Sequence, residues 1–236
     1  MTLEELQSGQ VFLVDKPKGW TSFDVLRKFQ RHTGYRKFGH AGTLDPLATG
    51  LLIVCAGKAT KTINEYQGKP KEYVAEIVLG ATTKTYDAEF LPEVFCDTSK
   101  LSEVQIREAA VSFCGEIEQV PPAYSAIKVK GKRAYELARK NIDVKLAPRP
   151  VTVYEYEVLK LERVSLESGL EQVQLQARIK CSKGTYIRSL AYDLGNSLGV
   201  GGYLRGLRRT KIGEHTLKQA KTVDEVLAFL PVKKKD

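Results

Sequence analysis

The stretch KFGHAGTLDPLATG at residues 37–50 runs directly into the apolar segment LLIVCA at residues 51–56. The apolar segment predicts a buried β-strand, because a short aliphatic run next to turn-forming residues is typical of strands covered on both faces. Asp45 is the only acid in the first stretch, and no other charged side chain lies between Lys37 and Lys58. A lone carboxylate in a glycine-rich loop is a candidate for chemistry. Asp-Pro is also a common turn pair, so a plain turn at Asp45 stays open as the alternative.

Patterns on either side of this stretch predict an α+β fold, with a mostly antiparallel, mixed central sheet flanked by helices. Strand patterns occur at residues 11–14, 51–56, 71–79, 151–163 and 172–180. Helix-start signals occur at Thr21 or Ser22, at Thr60, at Ser102, just after Gly184 and at Thr222. Strands outnumber helices, and we find no strand–helix alternation, internal repeat or linker. We therefore expect a single domain over residues 1–236.

The composition indicates a globular protein with a basic surface. Of the 236 residues, 42% are apolar and 28% are charged, with a net charge of +9. This charge favours a polyanionic partner, and nucleic acid before membrane, because no amphipathic basic helix is evident. No apolar run approaches the length of a membrane span, and the N-terminal segment carries acids where a signal peptide needs bases. We expect a cytoplasmic protein with no membrane contact.

The cysteines and histidines do not have the spacing of metal ligands. Cys55, Cys96, Cys114 and Cys181 are widely scattered and form no CxxC pair. Buried free thiols are the expected state of such cysteines. The three histidines show no paired ligand spacing either. We expect no bound metal.

Residues 119–150 differ in kind from the rest of the chain. This segment contains two prolines at 121–122, a short helix pattern after residue 134, and a Pro-Arg-Pro sequence at its end. It also contains a basic turn formed by Lys128, Lys130, Lys132 and Arg133. We interpret the segment as an insertion within the domain that packs on an elongated ligand.

Five motifs that occur in a fixed order are the most distinctive feature of the sequence. They are DKPKGWTSFDV at 15–25, GHAGTLDPLATGLL at 39–52, KEYVAEIVLG at 71–80, VPPAYSAIKVKGKRAYELAR at 120–139 and KGTYIRSLAYDLG at 183–195. In this order they resemble the TruB family of tRNA pseudouridine synthases, from about residue 11 to about residue 210. The resemblance implies the pseudouridine synthase fold and an isomerase that converts uridine-55, in the T-arm of tRNA, to pseudouridine.

The implied reaction breaks the C1′–N1 bond of the uridine and rejoins the same uracil through C5. It involves no redox change and no external group, so the resemblance implies no cofactor. Asp45 matches the essential aspartate of the family, which can attack C1′, attack the base, or remove a proton from C2′ on a glycal route. These three routes stay open. The target uridine must also be flipped out of its folded loop.

Two further residues match catalytic positions of the family. Tyr73 matches the tyrosine that stacks on the flipped base, and its alternative is an ordinary strand aromatic. Arg188 matches the arginine that pairs with the catalytic carboxylate, and its alternative is an exposed helix arginine. A bidentate pair with Arg188 would fix the rotamer of Asp45 and favour its charged form.

Four residues match positions that contact the substrate or support the pocket. His40 matches the histidine that fills the vacated stack when the base leaves it. Lys16 matches a residue that supports the pocket floor, although a solvated turn lysine is the alternative. Tyr186 matches a pocket tyrosine, and Leu207 lies in the segment of the apolar pocket wall. For both of these, plain core packing stays open.

The sequence departs from many family members at its C-terminal end. Only 26 residues follow Thr210, so we expect the PUA domain that helps those members hold tRNA to be absent. Binding then depends on the catalytic domain and on residues 119–150, where the four cations of the basic turn are expected to meet phosphates. We expect a monomer that needs no protein partner. The competing hypotheses are a pseudouridine synthase for another RNA and a tRNA-binding or tRNA-remodelling protein without catalysis.

Overall fold

The computed structural model describes residues 1–129, 131–140 and 142–233, without the side chain of Val94. The chain forms two compact units. The first unit comprises Met1–Tyr73 and the segment from Leu207 onward, and the second unit comprises Val74–Gly206. The expectation of one catalytic domain over residues 1–236 stays a prediction.

The helices and strands of the described residues are as follows. The strands are β1 (Gln10–Lys16), β2 (Phe38–Ala41), β3 (Ala48–Ala56), β4 (Lys71–Leu79), β5 (Ala81–Thr82), β6 (Val94–Phe95), β7 (Gly115–Gln119), β8 (Lys128–Val129), β9 (Lys132–Arg133), β10 (Arg149–Ser165), β11 (Glu171–Cys181), β12 (Gly202–Ile212), β13 (His215–Thr216) and β14 (Lys221–Thr222). The α-helices are α1 (Leu3–Ser8), α2 (Ser22–Thr33), α3 (Ile63–Gly68), α4 (Glu103–Ser112), α5 (Ala134–Ala138), α6 (Ile187–Ser197) and α7 (Val223–Leu227). Short 3₁₀ segments cover Gly57–Thr62 and Leu217–Gln219. Each predicted strand pattern lies inside an observed strand.

Helix α2 in the first unit begins and ends where its sequence predicts. The Thr21 hydroxyl accepts a hydrogen bond from the Asp24 amide at 3.0 Å, and the Asp24 carboxylate accepts one from the Thr21 amide at 2.9 Å. This reciprocal cap satisfies donors that the helix leaves free at its N-terminus. Gly34 ends the helix in the left-handed conformation, with φ of 72°.

Strand β3 is the centre of the first unit. It pairs antiparallel with β1 and with β2, and parallel with β12. Leu52 and Val54 pack in an apolar cluster with α2 and α7 residues, while Leu51 and Ile53 pack in a second cluster. The strand is therefore buried on both faces, as its apolar run predicts.

Strand pairing in the first unit brings distant residues next to the start of β3. Leu207 of β12 lies opposite Ala48, and Arg209 lies opposite Gly50. On the antiparallel side, His40 of β2 lies opposite Val54. The loop that carries Asp45 ends where β3 begins, so this register places β12 beside that loop.

The second unit contains a sheet with the strand order β4-β11-β10-β7. Strands β10 and β11 form a long antiparallel pair, and β10 also pairs antiparallel with β7. Along β11, Val173, Leu175, Ala177 and Ile179 are buried, which is the alternation expected of a strand with one covered face. The predicted α+β class, with a mostly antiparallel mixed sheet, is confirmed. No helix within the described ranges is long and apolar enough to cross a membrane.

Helix α6 approaches β12 closely in the second unit. A Cβ atom on Gly195 would lie 2.1 Å from the carbonyl carbon of Gly201 and 2.1 Å from the amide nitrogen of Gly202. Such distances are far inside van der Waals contact, and the atoms concerned belong to the main chain. Only glycine fits at position 195 without moving the helix.

We expect Gly195→Ala to lower the free energy of unfolding by at least about 2 kcal/mol, because overpacking against main chain cannot be relieved by a rotamer change. Gly68→Ala is the matched control, since a Cβ atom added there would meet no atom within 4 Å and alanine favours the helix. Urea unfolding of both variants measures the difference. Equal stability of the two variants would contradict the close approach.

Candidate active site

Asp45 lies half-buried in the loop between β2 and β3. Its carbonyl oxygen accepts a hydrogen bond from the Ala48 amide at 3.0 Å, which closes a turn over Pro46. The turn interpretation of the Asp-Pro pair is therefore correct for the main chain. It does not conflict with a chemical role, because the hydrogen bond from Ala48 uses the main-chain carbonyl of Asp45.

The residues on both sides of Asp45 are held by the first residue of α2 and by the loop before that helix. The buried Ser22 hydroxyl accepts a hydrogen bond from the Leu44 amide at 2.9 Å and lies 3.3 Å from the Leu44 carbonyl oxygen. The Gly19 amide donates to the Pro46 carbonyl at 2.8 Å. The main chain at Asp45 is thus fixed from the N-terminal and the C-terminal side by contacts that are distant in sequence.

Lys16 is buried at the end of β1, with 0% of its surface exposed. Its ammonium group donates to the Pro17 carbonyl at 2.9 Å and to the Trp20 carbonyl at 2.5 Å. Burial lowers the pKa of Lys16 to about 8, an effect partly offset by the Asp45 carboxylate and increased by Arg209. Since this pKa lies above neutral pH, Lys16 is mostly protonated at pH 7. Its positive charge therefore acts on the Asp45 carboxylate. The alternative of a solvated turn lysine is wrong.

Arg209 is a site residue that the sequence patterns did not single out. It is 1% exposed, and its guanidinium donates from Nε to the Leu51 carbonyl at 2.7 Å and from Nη2 to the Gly42 carbonyl at 3.0 Å. It also hydrogen-bonds the Tyr73 side chain. Burial lowers the pKa of Arg209, and Tyr73 opposes that shift. Arg209 ends a glycine-rich, basic segment at residues 199–209, in which the two-residue period of a strand would turn either Arg208 or Arg209 inward.

Arg209 connects three predicted residues of the first unit. Besides bonding Tyr73, which is buried at the start of β4, it acts electrostatically on Lys16 and on His40. Burial, with a smaller contribution from Arg209, lowers the pKa of His40. A neutral imidazole follows, which suits the predicted role in stacking better than one in proton transfer. Leu207 is half-buried beside Ala48, where a pocket wall is expected.

Arg188 occupies the first turn of α6 in the second unit and is buried. Its guanidinium lies 3.6 Å from the Asp87 carboxylate and donates to the main-chain carbonyls of Thr85 at 3.2 Å and Tyr124 at 3.0 Å. The alternative of an exposed helix arginine is wrong. Its pairing with Asp45 stays a prediction.

Asp87 was not predicted as a site residue. Its carboxylate accepts hydrogen bonds from the Thr85 hydroxyl at 2.6 Å and the Glu89 amide at 3.0 Å, besides its contact with Arg188. Because both the carboxylate and its loop are fixed, Asp87 restricts the orientation of Arg188. The sequence signal available for it was an acid at the end of the threonine-rich segment 82–87, shortly after a strand pattern.

Tyr186 precedes α6 and is held through its main chain. The buried Gln119 side chain accepts from the Tyr186 amide at 2.8 Å and donates to the Tyr186 carbonyl at 3.1 Å. Gln119 thereby ties the end of β7 to the start of α6. The pocket role of Tyr186 stays a prediction.

The basic turn within residues 119–150 is a small hairpin. Strands β8 and β9 pair Lys128 with Arg133, and Val129 with Lys132. The three cations in this hairpin are exposed, while Lys130 lies outside the described residues. The exposed cations are available to a large anion.

Family models match almost the whole chain. The model for the N-terminal domain of TruB family pseudouridylate synthases matches residues 30–187. The model for the C-terminal domain of tRNA pseudouridylate synthase B matches residues 188–236. The chain belongs to the TruB family of pseudouridylate synthases. The resemblance drawn from the five motifs is confirmed.

Curated TruB relatives are similar over nearly their full length. A tRNA pseudouridine synthase B of Parabacteroides distasonis is 44% identical in sequence, and the alignment covers 94% of this chain and 94% of the length of that relative. Another, from Flavobacterium johnsoniae, is 46% identical over 93% of this chain and 95% of its own. Membership in the TruB family identifies the protein as an isomerase that makes pseudouridine.

Solved structures with a TruB-like fold include chains of larger assemblies. A Cbf5-Nop10-Gar1 complex contains a chain that matches with a TM-score of 0.70 and 30% sequence identity. An archaeal box H/ACA sRNP Nop10-Cbf5 complex contains a chain that matches with a TM-score of 0.67 and 28% sequence identity. Each match covers 97% of this chain and 56% of the other. This chain thus spans little more than half the length of those chains, whose fold it shares.

We expect Ser22→Ala to reduce pseudouridine formation at saturating RNA by about tenfold or more. The change removes the acceptor for the Leu44 amide and loosens the main chain beside Asp45, and small displacements of reacting groups are costly. Ser112→Ala is the matched control, because Ser112 is exposed on α4 and its hydroxyl donates to the Ala109 carbonyl. Turnover of the Ser22 variant equal to that of the control would show that the clamp is not needed.

We expect Arg209→Lys to lower the free energy of unfolding by roughly 2–4 kcal/mol. Arg209 bonds the Leu51 carbonyl, the Gly42 carbonyl and the Tyr73 side chain, and a lysine cannot reach all three. Each buried carbonyl left without a donor costs about 1–3 kcal/mol. Arg208→Lys should change stability by less than about 1 kcal/mol, because Arg208 pairs with Asp15 at the surface. Urea titrations of the two neighbouring variants provide the comparison. Equal losses would refute the structural role of Arg209.

Proposed function

We propose that the protein converts uridine-55 in the T-arm of tRNA to pseudouridine. TruB family membership and relatives named tRNA pseudouridine synthase B support this substrate. The single observation that carries the proposal is the environment of Asp45. A carboxylate on a fixed main chain, beside the buried cation Lys16, suits a group that must meet one atom of a flipped nucleotide.

The reaction is balanced without any external reagent. The C1′–N1 bond of the uridine breaks, a C1′–C5 bond forms, C5 loses its hydrogen, and N1 gains one. No oxidant, reductant or transferred group is required, so no cofactor or metal belongs to the proposal. Asp45 acts on C1′, on the base, or on the C2′ proton, and these routes predict different intermediates with the same product.

The other predicted residues have separate roles in this proposal. Tyr73 packs on the flipped uracil, with its hydroxyl held by Arg209. His40, kept neutral by burial, takes the place of the uracil in the RNA stack. Leu207 forms part of the apolar wall, and Lys16 supports the floor below Asp45. Arg188 and Tyr186 complete the proposed set, with Arg188 as the partner of Asp45.

RNA is held partly by the β8–β9 hairpin in this proposal. Its exposed Lys128, Lys132 and Arg133 contact phosphates, and Lys130 is proposed to join them. The segment is short and basic, and it extends from the end of β7, whose last residue Gln119 also holds Tyr186.

We also propose that the protein acts in the cytoplasm as a monomer without a protein partner. The similarity over 94% of the length of a relative named as a tRNA pseudouridine synthase supports this assignment. Partners such as Nop10 and Gar1 are named for the longer solved chains. Turnover by a purified monomer, verified by size-exclusion chromatography, tests the point.

The catalytic role of Asp45 is tested by Asp45→Asn on a tRNA transcript with tritium at C5 of uridine. Loss of the carboxylate should reduce tritium release by at least about 10³-fold, while RNA binding is retained. Glu65→Gln, an exposed change on α3 in the same unit, is the control and should release tritium at the wild-type rate.

A second transcript differs only by cytidine at position 55. It should release no tritium with the wild-type enzyme or with either variant. Release from that transcript would show that another uridine is the substrate. Wild-type rates for Asp45→Asn would remove Asp45 from the reaction.

A further inference from the structure

Helix α2 is amphipathic, with a buried face and an exposed basic face, so the expectation that the chain has no amphipathic basic helix is wrong. Val25, Leu26 and Phe29 are buried against the first unit. The exposed cations on the other side of the helix are Arg27, Lys28 and Arg31. Arg27 and Arg31 are one turn apart, so their side chains extend from neighbouring points on the same face.

The loop after α2 extends this basic face. Arg36 and Lys37 are exposed, and both are held through their main chains. The Gln30 side chain donates to the Arg36 carbonyl at 2.9 Å, and the Gly57 amide donates to the Lys37 carbonyl at 2.9 Å. The loop is therefore fixed against the helix and the following 3₁₀ segment. We call Arg27, Lys28, Arg31, Arg36 and Lys37 the α2 basic surface.

The α2 basic surface is nearly free of acidic partners. Arg27 lies 3.9 Å from Asp24, and in the part of the chain that the structure describes no acid lies within 4.0 Å of the other four cations. Some exposed cations elsewhere are paired with glutamates, such as Arg205 with Glu76 and Lys211 with Glu72. Clustered, unpaired cations repel one another and produce a positive potential, which a polyanion would neutralise.

The position of the surface connects it to the reacting loop. Helix α2 begins at Ser22, whose hydroxyl bonds Leu44 next to Asp45. The basic face starts just over one turn beyond Ser22 and continues to the helix end. A helix of 12 residues is about 18 Å long, a distance over which a nucleic-acid strand in a duplex carries about five phosphates.

We propose that the α2 basic surface binds phosphates of the tRNA strand that flanks the flipped nucleotide. This inference rests on the proposed function and adds a contact surface in the unit that contains Asp45, separate from the β8–β9 hairpin. The surface contributes affinity and orientation through charge, and it takes no part in the chemical step.

The test compares two triple variants that lose the same net charge. Lys28→Gln, Arg31→Gln and Lys37→Gln together remove three unpaired cations of the surface. The control combines Lys160→Gln, Arg205→Gln and Lys211→Gln, which are exposed cations paired with glutamates. Affinity for an unmodified tRNA transcript is measured between about 50 and 200 mM salt, the range in which phosphate contacts change binding strongly.

The surface variant should lower the slope of log Kd against log salt by about two to three, since each lost phosphate contact removes about 0.7–0.9. Its affinity should fall about tenfold or more, while kcat at saturating RNA stays at the wild-type value. The control should retain the wild-type slope. Equal slopes for the two variants, or an unchanged slope for the surface variant, would overturn the proposal.

Wild-type turnover separates this proposal from the proposed function. If the wild-type protein makes pseudouridine and the two variants have equal slopes, only the α2 basic surface is refuted. If the wild-type protein makes none on tRNA, the proposed function fails. The salt slopes then still decide whether this surface binds RNA.

Discussion

The first unit depends on the burial of two cations, Lys16 and Arg209, that donate to main-chain carbonyl groups. A buried ammonium or guanidinium group is costly unless its donors are satisfied. Lys16 meets this requirement at the Pro17 and Trp20 carbonyls, and Arg209 meets it at the Leu51 and Gly42 carbonyls. The main-chain segments that carry these carbonyls cannot move away without leaving a buried charge with no hydrogen-bond acceptor. Arg209 therefore fixes the main chain on both sides of the Asp45 loop, and Lys16 fixes the loop before α2.

Fixed charges near Asp45 have a chemical consequence. A reacting carboxylate gains most from groups that need no rearrangement during the reaction. Lys16 is such a group because its position is set by two carbonyls, and its lowered pKa still leaves it charged at neutral pH. Arg209 has a second effect, since it also holds the hydroxyl of Tyr73. In the proposed reaction, structural and catalytic requirements would thus meet in the same two side chains.

Local patterns predicted much of the fold. The apolar run of β3, the alternation of β11 and the N-cap of α2 each depend on neighbours in sequence, so they could be recognised without a structure. The motifs around Asp45 also identified the family correctly. These features are local, and the structure confirmed them.

Contacts between distant residues could not be predicted in the same way. Arg209 bonds Leu51 across 158 positions, and Ser22 bonds Leu44 across 22, so each depends on how strands and loops pack. The sequence showed Arg209 only as one cation in a basic segment. The burial of Lys16 was left open for the same reason, because a turn lysine and a buried lysine have the same local sequence. Asp87 was missed because its partner Arg188 lies far along the chain.

The central claim is that the Asp45 loop acts on one uridine of tRNA. Pseudouridine mapping of total tRNA from cells that lack this protein, complemented with the wild-type chain or with Asp45→Asn, tests it directly. The account predicts that pseudouridine is lost at position 55 alone and is restored by the wild-type chain but not by the variant. Retention of pseudouridine-55 without the protein, or its restoration by Asp45→Asn, would contradict the account.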